Sequence, residues 1–230
     1  MNYLKRQALN LLEKRMLRRG SVLDVRLWSP ATICEIDLYL PDADMSRWDS
    51  VQHIKMKVAD ATYRDYTPVY WDAETHTCTL ILDLEHGGPG TDWAKMLTKN
   101  ISIEYIGIGK TPHRPVSGTM LGFGDVSAMA HLLALEYLAK EKSNITGGIC
   151  FRYPNHALEF SEYFKSNYQP IVLNENTAFH DKWEGWLENH TLLAQTVFVV
   201  GNIPSVVKFR KFLKSHSTFN GNIKAEGFWQ

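Results

Sequence analysis

Apolar positions recur along this chain in two rhythms, and the change between them falls near the middle. At the start, Leu4, Ala8, Leu11 and Leu12 lie on one helical face with Lys5, Arg6, Lys14, Arg15, Arg18 and Arg19 around them. That spacing predicts an amphipathic helix ending near Gly20 and packed on its own domain. From residue 21 to 107 the pattern turns into short runs of β-branched and aromatic residues, at 21–28, 32–40, 53–57, 67–71, 78–84 and 101–106. Such a series, punctuated by turn formers, predicts a small antiparallel barrel. Residues 107–118 hold Gly109, Pro112, Pro115 and Gly118 and no apolar period, which sets a boundary between a domain of residues 1–111 and one of residues 112–230. Beyond it, apolar strands at 119–123, 148–152, 169–173 and 196–200 alternate with helical patterns at 126–140, 157–166, 181–188 and 203–214. This alternation predicts a parallel sheet covered on both faces, with ligands at the carboxyl ends of its strands.

Composition narrows the class of partner. With 25 basic and 25 acidic side chains the formal charge is zero, so no overall positive field draws nucleic acid or anionic lipid. The three cysteines, Cys34, Cys78 and Cys150, form no CxxC pair and no zinc spacing, and read as reduced thiols of a cytoplasmic protein. The basic opening lacks an uninterrupted apolar core, so neither a signal peptide nor a membrane span is expected. Nine histidines, His53, His86, His113 and His131 among them, show no HxxxH or HExxH pattern, and no fixed protein-bound metal is expected.

Three segments carry residue types suited to a nucleotide cofactor. In Arg64-Asp65-Tyr66-Thr67-Pro68, where a loop is expected to enter a strand, a guanidinium suits a diphosphate and an aromatic ring suits a planar ligand. In His86-Gly87-Gly88-Pro89-Gly90-Thr91-Asp92-Trp93-Ala94 the glycines admit close backbone approach. The helix that follows offers free N–H groups, with Thr91 as donor or N-cap. The segment lacks the Gly-Lys-Ser/Thr ending of a Walker loop. In Gly122-Phe123-Gly124-Asp125-Val126-Ser127-Ala128, Asp125 or Ser127 can cap the first helix of the second domain, and the third glycine of a dinucleotide fingerprint is missing.

The order R-x-Y-T, then H-G…G-P-x-T-x-W-A, then G-D-x-S-A, then a late strand ending in Gly201 and a closing Gly227-Phe228-Trp229, resembles the siderophore-interacting proteins, or ferric-siderophore reductases. The resemblance runs from about Leu23 to Trp229. It implies a ferredoxin-reductase-like pair of domains: an FAD-binding β-barrel followed by an NAD(P)H-binding α/β domain. It assigns Arg64, Tyr66, Thr67 and Pro68 to FAD, and Leu84, His86, Gly88, Gly90, Thr91 and Trp93 to the diphosphate and adenosine side. It adds Asp125, Ser127, Ala128 and Trp229 to the cofactor site, and Lys55 and Lys224 to an anionic ferric chelate. Lys57, on the same strand face as Lys55, reads as a surface lysine. Gly90 stands where relatives carry Ala, Val69 where many carry a second Arg, and Asn202 where Glu follows the late glycine. The implied activity is NAD(P)H-dependent reduction of ferric siderophores in the cytoplasm, with no catalytic side chain because the flavin carries the redox chemistry. An accessory flavoprotein fed by a protein partner and a general flavin reductase are the alternatives.

Overall fold

The computed structural model describes residues 15–139 and 143–230. The amphipathic stretch through Lys14 lies outside the described residues. Arg18, Arg19 and Gly20 do not end a helix, as the charge pattern suggests; they open β1 (Arg18–Leu27), where they pair with Tyr105, Glu104 and Ile103. A basic strand edge and a basic helical face look alike when the partner strand is remote in sequence.

Seven strands form the first sheet: β1, β2 (Ile33–Tyr39), β3 (Gln52–Ala59), β4 (Thr62–Tyr66), β5 (Pro68–Asp72), β6 (Thr77–Asp83) and β7 (Ser102–Lys110). They run antiparallel in the order β4, β3, β7, β1, β2, β6, β5. The two edge strands, β4 and β5, are consecutive in the chain with only Thr67 between them. The sheet therefore curls until its edges meet, as a barrel must. Burial alternates along β3, whose Ile54, Met56 and Val58 point into the barrel core with Ile36, Leu38, Leu80 and Tyr105. A helix, α1 (Pro89–Met96), connects β6 to β7.

The second sheet is parallel throughout, in the order β10, β9, β8, β11, β12. Its strands are β8 (Gly118–Asp125), β9 (Ser143–Phe151), β10 (Tyr168–Val172), β11 (Thr196–Asn202) and β12 (Asn222–Trp229). The helices between them are α2 (Met129–Ala139), α3 (Pro154–Tyr163), α4 (Phe179–Leu187) and α5 (Ile203–Ser215). Every residue of β11 is buried because helices cover both faces. Val197 and Val199 pack with Trp183 and Phe209 on one side, while Phe198 and Val200 join Leu132, Leu135 and Phe160 on the other. That second cluster also takes in Trp28, Ile33, Val69 and Ile81 of the barrel. One continuous apolar core thus fixes the barrel against the parallel sheet. The three cysteines are free and buried. Among the described residues, no helix is long and apolar enough to cross a membrane.

Candidate functional site

The parallel sheet reverses its order at β8. The chain runs outward from β8 to β9 and β10, then returns to β11 on the other side. Open α/β sheets bind ligands at such a reversal, outside the carboxyl ends of the strands. Asp125 ends β8 at this point and is fully buried. Its Oδ1 accepts the Ser127 backbone N–H at 2.9 Å and the Ser127 hydroxyl. Its Oδ2 accepts the Asn202 backbone N–H at 2.7 Å and the Trp229 Nε1–H at 3.3 Å. One carboxylate therefore ties together the ends of β8, β11 and β12. Burial raises its pKa from 3.8, and the bonds to Ser127 and Asn202 oppose that shift. Gly201 beside it has φ +116, and a Cβ there would overlap the Asp125 carboxylate. Asn202 also accepts the Ser205 N–H at 3.1 Å with its side-chain oxygen, as the N-cap of α5.

Facing this point across a cleft of about 540 Å³ lie the meeting edges of the barrel and the start of α1. The segment expected to run from loop into strand instead spans the end of β4, the single residue Thr67 and the start of β5. Arg64 is exposed and donates from Nη1 to the Tyr63 carbonyl at 2.8 Å. The Tyr66 ring stacks on Trp93 of α1, with centroids 5.9 Å apart and planes 12° apart. Burial pushes its phenol up to about 12. Gly90 lets this happen, because a Cβ there would overlap the Tyr66 hydroxyl. The glycine at a position where alanine was expected is thus matched to the tyrosine above it.

Helix α1 begins at Pro89 after Gly88, which has φ +121 and supplies no side-chain cap. Thr91 is not the N-cap; it sits inside the first turn and donates its hydroxyl to the His86 carbonyl at 2.7 Å. The helix start therefore keeps amide N–H groups free of side-chain acceptors, at the positive end of its dipole. His86 lies against the C-terminal strand, its ring 3.6 Å from the Trp229 ring centroid, and its Nε2 is 2.8 Å from Asp83 Oδ2.

Of the residues singled out from sequence, Arg64, Tyr66, Thr67, His86, Gly88, Gly90, Thr91, Ser127 and Trp229 line this one cleft. Pro68, Leu84, Trp93 and Ala128 are buried, and Trp93 backs the Tyr66 ring. Asp125 reaches the cleft only through Ser127 and Trp229. Lys55 lines a different cleft on the barrel, with Arg18 and Arg47, and its Nζ lies 2.6 Å from Asp65 Oδ1. Lys57 lies 3.5 Å from Glu104, and Lys224 is exposed on β12. Arg152, at the end of β9, pairs with Glu85 at 2.7 Å. The floor of the main cleft contains groups that sequence spacing did not bring together: His53, His131 and Glu226.

No protein-family model and no curated protein matches the sequence. Solved structures match the fold. A siderophore utilization protein from T. fusca superposes with a TM-score of 0.73 at 19% identity, over 93% of this chain and 92% of that one. The siderophore-interacting protein from Acinetobacter baumannii gives 0.75 at 13% identity, over 93% and 90%. A ferredoxin NADP+ reductase from Neisseria gonorrhoeae, solved with bound FAD and NADP, gives 0.69 at 12% identity, over 92% and 98%. The chain has the ferredoxin-reductase-like fold that siderophore-interacting proteins share: an antiparallel seven-stranded sheet joined to a parallel five-stranded one.

Proposed function

We propose that this chain is an FAD-dependent reductase that uses NADH or NADPH to reduce ferric siderophores. The observation that carries the reading is a single cleft where the barrel edges, the start of α1 and the end of β12 converge. The cleft suits FAD on three counts. It has the volume of an ordinary cofactor site. Its wall at Gly87 and Gly88 is open, with nothing within 4 Å of where a Cβ would stand. Aromatic rings flank it at Tyr66 and Trp229. Bound FAD supplies the conversion between hydride from a nicotinamide and single electrons for ferric ion.

The side chains then have separable tasks. The free N–H groups at the start of α1, beside Gly88, Gly90 and Thr91, would meet a diphosphate, with Arg64 supplying a second positive charge from the rim. Tyr66, held in place by Trp93, would offer a flat face to an aromatic ring, with the Thr67 hydroxyl next to it. Trp229, tethered by Asp125 and lying on His86, would close the cleft on the side of the parallel sheet. Lys224 would attract an anionic chelate, whereas Lys55 would first have to leave Asp65. We place the activity in the cytoplasm, where nicotinamide donors are plentiful and free thiols persist.

Gly90→Ala tests the cofactor assignment. The added methyl gains helix propensity but pushes Tyr66 off its seat, so stability should change by no more than about 1 kcal/mol. FAD affinity should fall about tenfold, by loss of one stacking contact. Calorimetric melting and FAD titration measure the two effects; unchanged FAD affinity would contradict the assignment.

A second reading, an accessory flavoprotein fed by a protein partner, is favoured by two side chains at the sheet reversal. Asn202 is used as a helix cap, and Arg152 is paired with Glu85. Rapid mixing of the flavin-loaded protein with NADH and with NADPH separates the readings. Bleaching by at least one donor is expected, and bleaching by neither would remove direct reduction. Capture of Fe(II) by a ferrous chelator from ferric siderophores is then expected; turnover with quinones alone would contradict the siderophore role.

A further inference from the structure

We propose that His113, His131 and Glu226 form a binding site for one divalent first-row transition-metal ion on the floor of the cleft. His113 comes from the segment between β7 and β8, His131 from the first turn of α2, and Glu226 from β12. Their donor atoms all lie within 4.8 Å of one another. His113 Nδ1 is 2.8 Å from His131 Nε2 and 3.9 Å from Glu226 Oε2. Neighbouring ligands on an ion with bonds of about 2.0–2.2 Å stand about 2.8–3.1 Å apart in octahedral geometry and about 3.3–3.6 Å apart in tetrahedral geometry. The imidazole pair, 2.8 Å apart, stands at the octahedral separation, and a swing of Glu226 toward it completes a three-donor face.

A further observation points to a cation. Glu226 Oε2 is buried and has no hydrogen-bond partner among the described residues, although a buried carboxylate oxygen needs one. Burial favours the neutral form of both imidazoles. Burial, with Lys224 second, holds His113 down to about 4, and burial keeps His131 well below its usual value. As the ion enters, the proton shared between the rings moves to the other nitrogen of its own ring, and no electrons are exchanged.

Two histidines and one carboxylate favour Fe(II), Co(II) or Zn(II) over Mg²⁺ or Ca²⁺. Phe198 beside His113 and Phe228 beside His131 supply dry walls. His131 and Glu226 also line the cleft, so the remaining coordination positions open into it. The site does not depend on the flavin reading. On that reading, it lies in the same cleft where iron would leave a reduced chelate.

Titration of the chelator-stripped full-length protein with Co(II), with and without added FAD, tests the site. Calorimetry and the visible d–d bands of protein-bound Co(II) are the readouts. About one equivalent should bind with imidazole-type bands in both preparations. Glu226→Gln should weaken binding by about tenfold or more, and His113→Gln should remove the bands. Melting curves of the metal-free variants establish folding, and if His113→Gln does not fold, wild type and Glu226→Gln decide. Absence of Co(II) bands in the wild type would overturn the proposal, as would undiminished binding by a folded Glu226→Gln.

Discussion

Replacing Asp125 by alanine is expected to lower the free energy of unfolding by about 2–4 kcal/mol, because it strips a fully buried carboxylate from its donors. The Asn202 N–H, the Trp229 Nε1–H and the Ser127 N–H would all lose their acceptor. The three strand ends they fix would lose their common tie. Asp125→Asn keeps one acceptor oxygen and the volume, so it should cost about half as much. The sign of the pH dependence follows from the raised pKa. The native carboxyl holds its proton more tightly than the unfolded one, so its stabilising contribution is full below 3.8 and is lost as pH rises through the higher native value. The gap between wild type and Asp125→Ala should therefore widen on acidification. Urea unfolding at several pH values measures both; a neutral substitution would show that Asp125 does not tie the strands.

Tyr66→Ala is expected to weaken FAD binding by about 10–100-fold, the loss of one buried aromatic contact face. The ring is stacked on Trp93 and its hydroxyl lies over Gly90, so its orientation is set before any ligand arrives. That preorganisation is what alanine removes. Tyr66→Phe keeps the ring and should bind within about threefold of wild type. Fluorescence titration with FAD measures the series. Equal binding by Tyr66→Ala and wild type would place the cofactor elsewhere.

Much of the fold was legible because burial in strands leaves a pattern. Strands such as β2 and β6 pair in the middle of the barrel and carry dense apolar residues, and β11 is buried throughout, with an apolar run from Val197 to Val200, because both faces are covered. The two strands that the pattern did not reveal are both at sheet edges. β4, with the sequence Thr-Tyr-Arg-Asp-Tyr, has no fully buried residue, and β12 is largely exposed with Lys224 and Glu226 in its interior. Edge strands need no apolar face, so they look like loops. The helix expected over 126–140 begins as a 3₁₀ turn, Val126–Ala128, because Asp125 caps it through Ser127.

The candidate site was partly legible for a related reason. The segments around Arg64, His86 and Asp125 are local, so their residue types could be read in order. Contacts between remote positions were not: His86 on Trp229, the Asp125 carboxylate on Asn202, and His113 on His131 depend on how the barrel packs against the parallel sheet. Gly90 shows the limit well, since only the position of the Tyr66 hydroxyl explains why no side chain stands there.

The flavin content of the full-length protein tests the central claim most directly. The protein should purify yellow, or take up about one equivalent of added FAD, with absorbance bands at roughly 380 and 450 nm. A colourless protein that takes up no FAD would contradict the account.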